Sequence, residues 1–253
     1  MTEITIYPSL NERVIFITGG ATGIGAALVE QFCRQGSKVA FVDFDMASAN
    51  ILIDRLNDTL HIKPWFQEVD VSDLGALKSS ILAASTELGP IHTLVNNVAN
   101  DNRHSPDEVS ENDWRKCMAV NLDASFFAAQ TAVSTMQESG SIINFSSINA
   151  LLGPSDMPGY VTAKAGLIGM SKALANDYGE RNIRVNAVLP GWVVTDRQLA
   201  TWLTPEAEQE WSKLVALKDR ILPDDVAKLA LFLSSDDSKM ITGQSITIDA
   251  GRT

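Results

Sequence analysis

Tyr160 and Lys164, in Tyr160-Val161-Thr162-Ala163-Lys164, stand one helical turn apart, so a helix brings both side chains to the same face. A phenol titrates near 10 and is a poor base at neutral pH, but a neighbouring ammonium favours the phenolate and draws the pKa down. Such a pair can take a proton from an alcohol. Ser147, upstream, can donate a hydrogen bond to the oxygen that loses it. A bare Tyr-x-x-x-Lys also fits an ordinary amphipathic helix with a half-buried tyrosine and a surface lysine, so the pair needs company to carry a function.

That company is a glycine-rich turn near the start, Thr18-Gly19-Gly20-Ala21-Thr22-Gly23-Ile24-Gly25. It follows the apolar run Val14-Ile15-Phe16-Ile17 and opens an amphipathic stretch from Ile24 to Gln35, which reads as strand, turn, helix. Glycines let the backbone approach a pyrophosphate, and the free N–H groups and positive dipole end of a helix favour its charge. Asp43 ends the next strand, where a carboxylate can accept from both hydroxyls of an adenosine ribose; it would repel a 2′-phosphate, and no Lys or Arg follows in Phe44-Asp45-Met46-Ala47. NAD is therefore expected over NADP, and its oxidised nicotinamide is expected to join the Lys164 ammonium in drawing the Tyr160 phenol down. Asp70, in Val69-Asp70-Val71, ends the third strand and either holds an adenine amino group or starts a turn before Ser72.

Seven short β-branched runs must position these groups: Val14–Thr18, Val39–Asp43, Phe66–Val69, Thr93–Asn96, Ser141–Phe145, Arg184–Leu189 and Ser245–Asp249. Helical patterns fill the gaps over Gly23–Gln35, Ala47–Leu56, Leu74–Leu88, Glu111–Met136, Tyr160–Tyr178, Pro205–Leu217 and Asp224–Leu233. Such alternation predicts an α/β fold with a seven-stranded parallel sheet covered on both faces. Ser72 and Ser110 are expected as N-caps, and Gly36, Gly89 and Gly179 as helix stops. Ligands of such sheets sit beyond the C-terminal strand ends, where the glycine turn, Asp43, Asn96, Ser147 and Pro190 all fall.

The chain has 253 residues, 45% hydrophobic and 20% charged, with no linker-like or repetitive stretch, so residues 1–253 are read as one domain. A formal net charge of −11 argues against a nucleic-acid surface. Met1 to Asn11 lacks a signal-peptide pattern and no apolar run reaches membrane-spanning length, so a cytoplasmic location is expected. Cys33 and Cys117 read as reduced thiols inside helices, and no metal site is expected.

With these parts in order, the chain resembles the short-chain dehydrogenase/reductase family over essentially its whole length. Thr18 to Gly25 matches that family's TGxxxGxG turn, and Asn121, Ser147, Tyr160 and Lys164 its catalytic tetrad. Pro190-Gly191-Trp192-Val193-Val194-Thr195 matches the segment that holds the nicotinamide carboxamide. Asn96-Asn97-Val98-Ala99 stands for NNAG, with two added side chains that crowd the cofactor-side loop. The resemblance implies a three-layer doubly wound Rossmann fold, with Tyr160 as base, Ser147 as hydroxyl donor, Lys164 as ribose anchor and pKa modifier, and Asn121 holding a relay water. NAD would rest on Gly19, Thr22, Gly23, Ile24, Gly25, Asp43, Asp70, Val71, Asn97, Tyr160, Lys164, Pro190, Gly191, Val193 and Thr195.

Further segments, among them Asn100-Asp101-Asn102-Arg103-His104 and Ile143 to Ile148, resemble bacterial aldose 1-dehydrogenases acting on xylose, arabinose, galactose or fucose, which oxidise the anomeric hydroxyl to a lactone. A sugar needs several fixed polar partners. Asn100, Ser147, Asn149, Tyr160 and Trp192 are the candidate substrate contacts, and His104 is read as tying down its loop. The rivals are another alcohol or sugar-acid dehydrogenase, a 3-oxoacyl reductase, and an NAD-binding sensor without turnover. Carrier-bound acyl groups call for a basic entrance, whereas Ser105 to Asp113 holds four acids and no base. Apolar residues on several faces of the helices around Phe126-Phe127 and Ala165 to Met170 suggest burial between subunits, a homotetramer by the resemblance. Residues 195–220, with Trp202 and Trp211, are expected to form a lid.

Overall fold

The computed structural model describes residues 5–202 and 204–253. Its centre is one parallel sheet in the order β3-β2-β1-β4-β5-β6-β7. The strands are β1 (Val14–Thr18), β2 (Lys38–Asp43), β3 (Trp65–Glu68), β4 (Ile91–Asn96), β5 (Gly140–Phe145), β6 (Ile183–Pro190) and β7 (Ser245–Ile248). The helices are α1 (Gly23–Arg34), α2 (Met46–Leu60), α3 (Leu74–Leu88), α4 (Glu111–Met118), α5 (Ala124–Thr135), α6 (Asn149–Leu152), α7 (Pro158–Tyr178), α8 (Asp196–Thr201), α9 (Pro205–Leu214) and α10 (Pro223–Ser234).

Every residue of β1 is buried, which is why it reads as an unbroken apolar run. Ile15 and Ile17 pack with Leu28 and Phe32 of α1, Leu52 of α2 and Leu231 of α10. Val14 and Phe16 pack on the other face with Leu77 and Ile81 of α3 and Ala128 and Ala132 of α5. Each such large side chain contributes roughly 1.5–3 kcal/mol on burial. The three layers and seven parallel strands are those expected.

The order of connection turns back between β1 and β4, which pair directly from Val14↔Ile91 to Thr18↔Asn96. Strand ends part there, and a crevice opens beyond their C-termini.

Three local expectations need correction. Ser72 does not cap α3: Asp73 does, accepting from Ala76 N at 3.0 Å, while Ser72 donates its backbone N–H and its hydroxyl to Asp70. The stretch Glu111–Met136 is not one α-helix, because the turn Ala119–Asp123 widens to π geometry between α4 and α5. Gly179 ends α7 as expected, in a right-handed conformation, and Asn182 at φ +54° makes the left-handed turn into β6. The helix expected over Ala47–Leu56 continues to Leu60, where His61 at φ +56° stops it. Ser110, Gly36 and Gly89 act as expected: Ser110 accepts from Asp113 N, and both glycines sit at positive φ.

Candidate active site

Beyond the C-terminal strand ends lies a cleft of about 1100 Å³. One end is the glycine turn. Gly19 sits at φ +68°, and Gly25 faces it so closely that a Cβ there would stand 1.7 Å from the Gly19 carbonyl oxygen. Thr22 precedes α1 without capping it through its side chain, so among the described residues that side chain gives the N–H groups of the first turn no acceptor. Glycines without room for a side chain, opening an uncapped helix, fit a pyrophosphate.

Side chains lock this turn from three strands. Asn97 donates its amide N–H groups to the carbonyls of Thr18 and Gly19, and Thr18 Oγ1 accepts from the Asn97 and Val98 backbones. Asp43 accepts from Ala21 N at 2.9 Å and from Asp45 N at 3.1 Å, so the carboxylate that faces the cleft also braces the turn. Asp70 takes both Ser72 donors on Oδ1, leaving Oδ2 to the cleft. The added side chain at Val98 is accommodated because position 19 is glycine: a Cβ there would meet Val98 Cγ2 at 2.8 Å. Gly23 does not line the cleft; it holds φ +54° beneath Thr195, whose Cγ2 lies 3.2 Å from the place a Cβ would take.

At the other end α7 presents Tyr160 and Lys164, both buried. Lys164 Nζ donates to the Phe145 carbonyl at 2.7 Å, and the Ser146 hydroxyl donates to the Lys164 carbonyl, also at 2.7 Å. These bonds stitch α7 to the end of β5 and bring Ser147 beside the phenol. Ser147 Oγ accepts from Asn149 N at 3.1 Å, which keeps its own proton available for an oxygen in the cleft. Lys164 Nζ stands 5.7 Å from the centre of the Tyr160 ring.

Burial raises the Tyr160 phenol to about 12, against a smaller downward pull from the Ser147 hydroxyl. Burial lowers Lys164 to about 7. The expectation that the lysine draws the phenol down is therefore not met by the protein's own groups alone. Exclusion of water outweighs the hydrogen bond, and the same exclusion disfavours the ammonium form of Lys164.

Asn121 lies fully buried in the π turn and does not line the cleft. Its amide donates to the Cys117 and Asn100 carbonyls, and its oxygen accepts from Asn100 N at 2.9 Å. It thereby fixes the loop after β4. Asn100 turns its own oxygen to Asn102 N at 3.1 Å. Asn149 Nδ2 reaches Met157 Sδ at 3.9 Å, and Trp192 Nε1 donates to Gln198 Oε1 at 2.6 Å. The remaining expected residues, Ile24, Val71, Pro190, Gly191 and Val193, line the cleft. His104 ties its loop to the next one through its backbone, donating to Asp156 O at 2.8 Å.

Sequence reasoning missed the charged mouth. Asp101 and Arg197 pair across it at 2.6 Å, and the Arg103 guanidinium stacks 4.2 Å from the Trp202 ring. Only the polarity of Asn100 to Arg103 signalled this; nothing local announces a partner on α8.

A family model described as "Enoyl-(Acyl carrier protein) reductase" matches residues 19–253. The chain belongs to the short-chain dehydrogenase/reductase family of oxidoreductases, and its homologues include dehydrogenases acting on CH–OH groups. Among curated relatives, the Rhizobium meliloti (strain 1021) protein named "Probable galactose dehydrogenase GalD" is 42% identical over 97% of this chain and 96% of its own. The D-xylose 1-dehydrogenase of Caulobacter vibrioides (strain NA1000 / CB15N) is 42% identical over 97% and 98%. A solved blue fluorescent protein from a metagenomic library, in complex with NADPH, superposes with a TM-score of 0.89 at 31% identity, covering 97% of this chain and 99% of that one.

Proposed function

We propose that the protein is an NAD-dependent aldose 1-dehydrogenase that converts a pyranose of the L-fucose, D-galactose, L-arabinose or D-xylose type into its lactone. The observation that carries this reading is the convergence of Ser147, Tyr160 and Lys164 on the same cleft as the glycine turn. The sugar relatives named above supply the substrate class.

NAD, when bound, supplies the acceptor for the hydride that leaves C1 and, in its oxidised form, a positive ring. Gly19, Thr22, Ile24, Gly25 and the α1 N–H groups would hold its pyrophosphate, Asp43 its ribose, Asp70 and Val71 its adenine, and Asn97, Pro190, Gly191, Val193 and Thr195 its nicotinamide half. Asp43 also sets the preference against a 2′-phosphate. Tyr160 takes the C1 hydroxyl proton as the C1–H bond breaks and C1=O forms, and Ser147 donates to that oxygen throughout. Burial penalises phenolate and ammonium separately, but side by side each charge offsets the penalty on the other. Lys164 thus serves as counter-ion and as donor to the ribose. Asn121 positions the Asn100 loop and places any relay water through the π turn. Asn100, Asn149 and Trp192 are the proposed partners of the sugar's other hydroxyls, under a lid of residues 195–220. A single domain, a cytoplasmic location and a homotetramer joined through α5 and α7 complete the reading. Among the described residues no helix is long and apolar enough to cross a membrane.

The test is NADH absorbance with a panel of aldoses, polyols, sugar acids and acyl thioesters. Aldoses are expected to react best, with lactone as product; a better acyl thioester or secondary alcohol would overturn the assignment.

A further inference from the structure

The Asp101–Arg197 pair crosses the cleft from the loop after β4 to α8. Both residues line it on the Tyr160 side. Asp101 Oδ1 takes the Arg197 Nη2, whereas Oδ2 has no protein partner among the described residues. Asn121 holds the backbone of Asn100 from below, so the carboxylate next to it is thrown into the cleft from a fixed base. Arg197 is anchored from the other side: its helix is capped by Thr195, tied through Gln198 to Trp192, and pressed by Trp202 against Arg103. The phenol of Tyr160 is raised by Asp101 and lowered by Arg197, so both charges lie within electrostatic reach of the reacting oxygen.

We infer that the Asp101–Arg197 pair is a specificity element for uncharged, polyhydroxylated substrates. The inference deepens the proposed function and rests on it for the substrate class. An unpaired guanidinium at this mouth would take a carboxylate in a bidentate grip. Asp101 neutralises that guanidinium through Oδ1 alone, and its free oxygen accepts from a sugar hydroxyl, which costs nothing in net charge. An anionic ligand meets repulsion from Asp101 and must break the ion pair before it gains Arg197. A neutral polyol can be held by both residues with the pair intact.

The experiment is calorimetric titration of the NADH-saturated protein with D-galactose and with D-galacturonate, which differ by a carboxylate at C6. Wild type is expected to bind galactose at least about tenfold more tightly. Asp101→Asn leaves the cation uncompensated and should shift that ratio by roughly tenfold or more toward galacturonate; Arg197→Gln should shift it the other way. The double variant Asp101→Asn/Arg197→Gln is again neutral and should return to within about threefold of the wild-type ratio. A structural tether alone predicts instead that the double variant behaves like the singles with both ligands. Equal ratios in all four proteins, a double variant that fails to recover, or no wild-type binding of galactose would overturn the inference. Parallel turnover assays with NAD separate the two readings. Shifted ratios without aldose oxidation would sink the aldose dehydrogenase and leave the selector standing, while aldose oxidation with unshifted ratios would do the reverse.

Discussion

At the glycine-turn end of the cleft the chain sets its shape with backbone, through Gly19 against Gly25 and the carbonyls of Thr18 and Gly19 held by Asn97; at the opposite end it uses long side chains, Asp101 with Arg197 and Arg103 with Trp202. Backbone built into a sheet and a helix start has few alternatives, so it suits a part common to many reactions. Side chains on a loop and a short helix can be exchanged without disturbing the sheet, so they suit the part that differs between substrates.

The comparison can be broken first at its rigid end. Gly25→Ala puts a methyl into the space of the Gly19 carbonyl. A shift of the turn away from α1 is required, and NAD affinity should fall by about 100-fold or more, with a stability loss of about 1–3 kcal/mol read by denaturation. Retained affinity would mean that the turn is softer than this packing implies. A smaller effect is expected from Asp43→Ala, which removes the proposed ribose acceptor and also the partner of Ala21 N. Preference for NAD over NADP, taken from kcat/KM with each, should relax by roughly 10- to 100-fold. An unchanged preference would point to another selector. The charge variants at Asp101 and Arg197 probe the opposite end and should leave the affinity for NAD within about threefold.

The same contrast explains what could be read from the sequence. The strands were legible because β1, β2, β4, β5 and β6 are buried almost throughout, so they read as short runs rich in apolar and β-branched residues, unbroken from Val14 to Ile17 and from Val39 to Val42. The glycine turn and the Tyr160–Lys164 spacing were legible because they are local. The π turn at Ala119–Asp123 was not, since widening one turn leaves the apolar pattern nearly unaltered. Ser72 and Asp73 are adjacent and both able to cap, so only the backbone geometry decides between them. Asn121 was legible as a residue type, but its attachment to Asn100 depends on how two distant segments meet. Asp101 and Arg197 join segments from opposite halves of the chain, and no spacing rule foretells such a pair.

The most direct measurement is the turnover of Tyr160→Phe on the best aldose, with NAD affinity determined on the same preparation. Removing the phenolic oxygen should lower kcat by about 10²–10⁴-fold while the dissociation constant for NAD stays within about threefold of wild type. A Tyr160→Phe protein that oxidises the sugar at the wild-type rate would contradict the assignment of Tyr160 as the base.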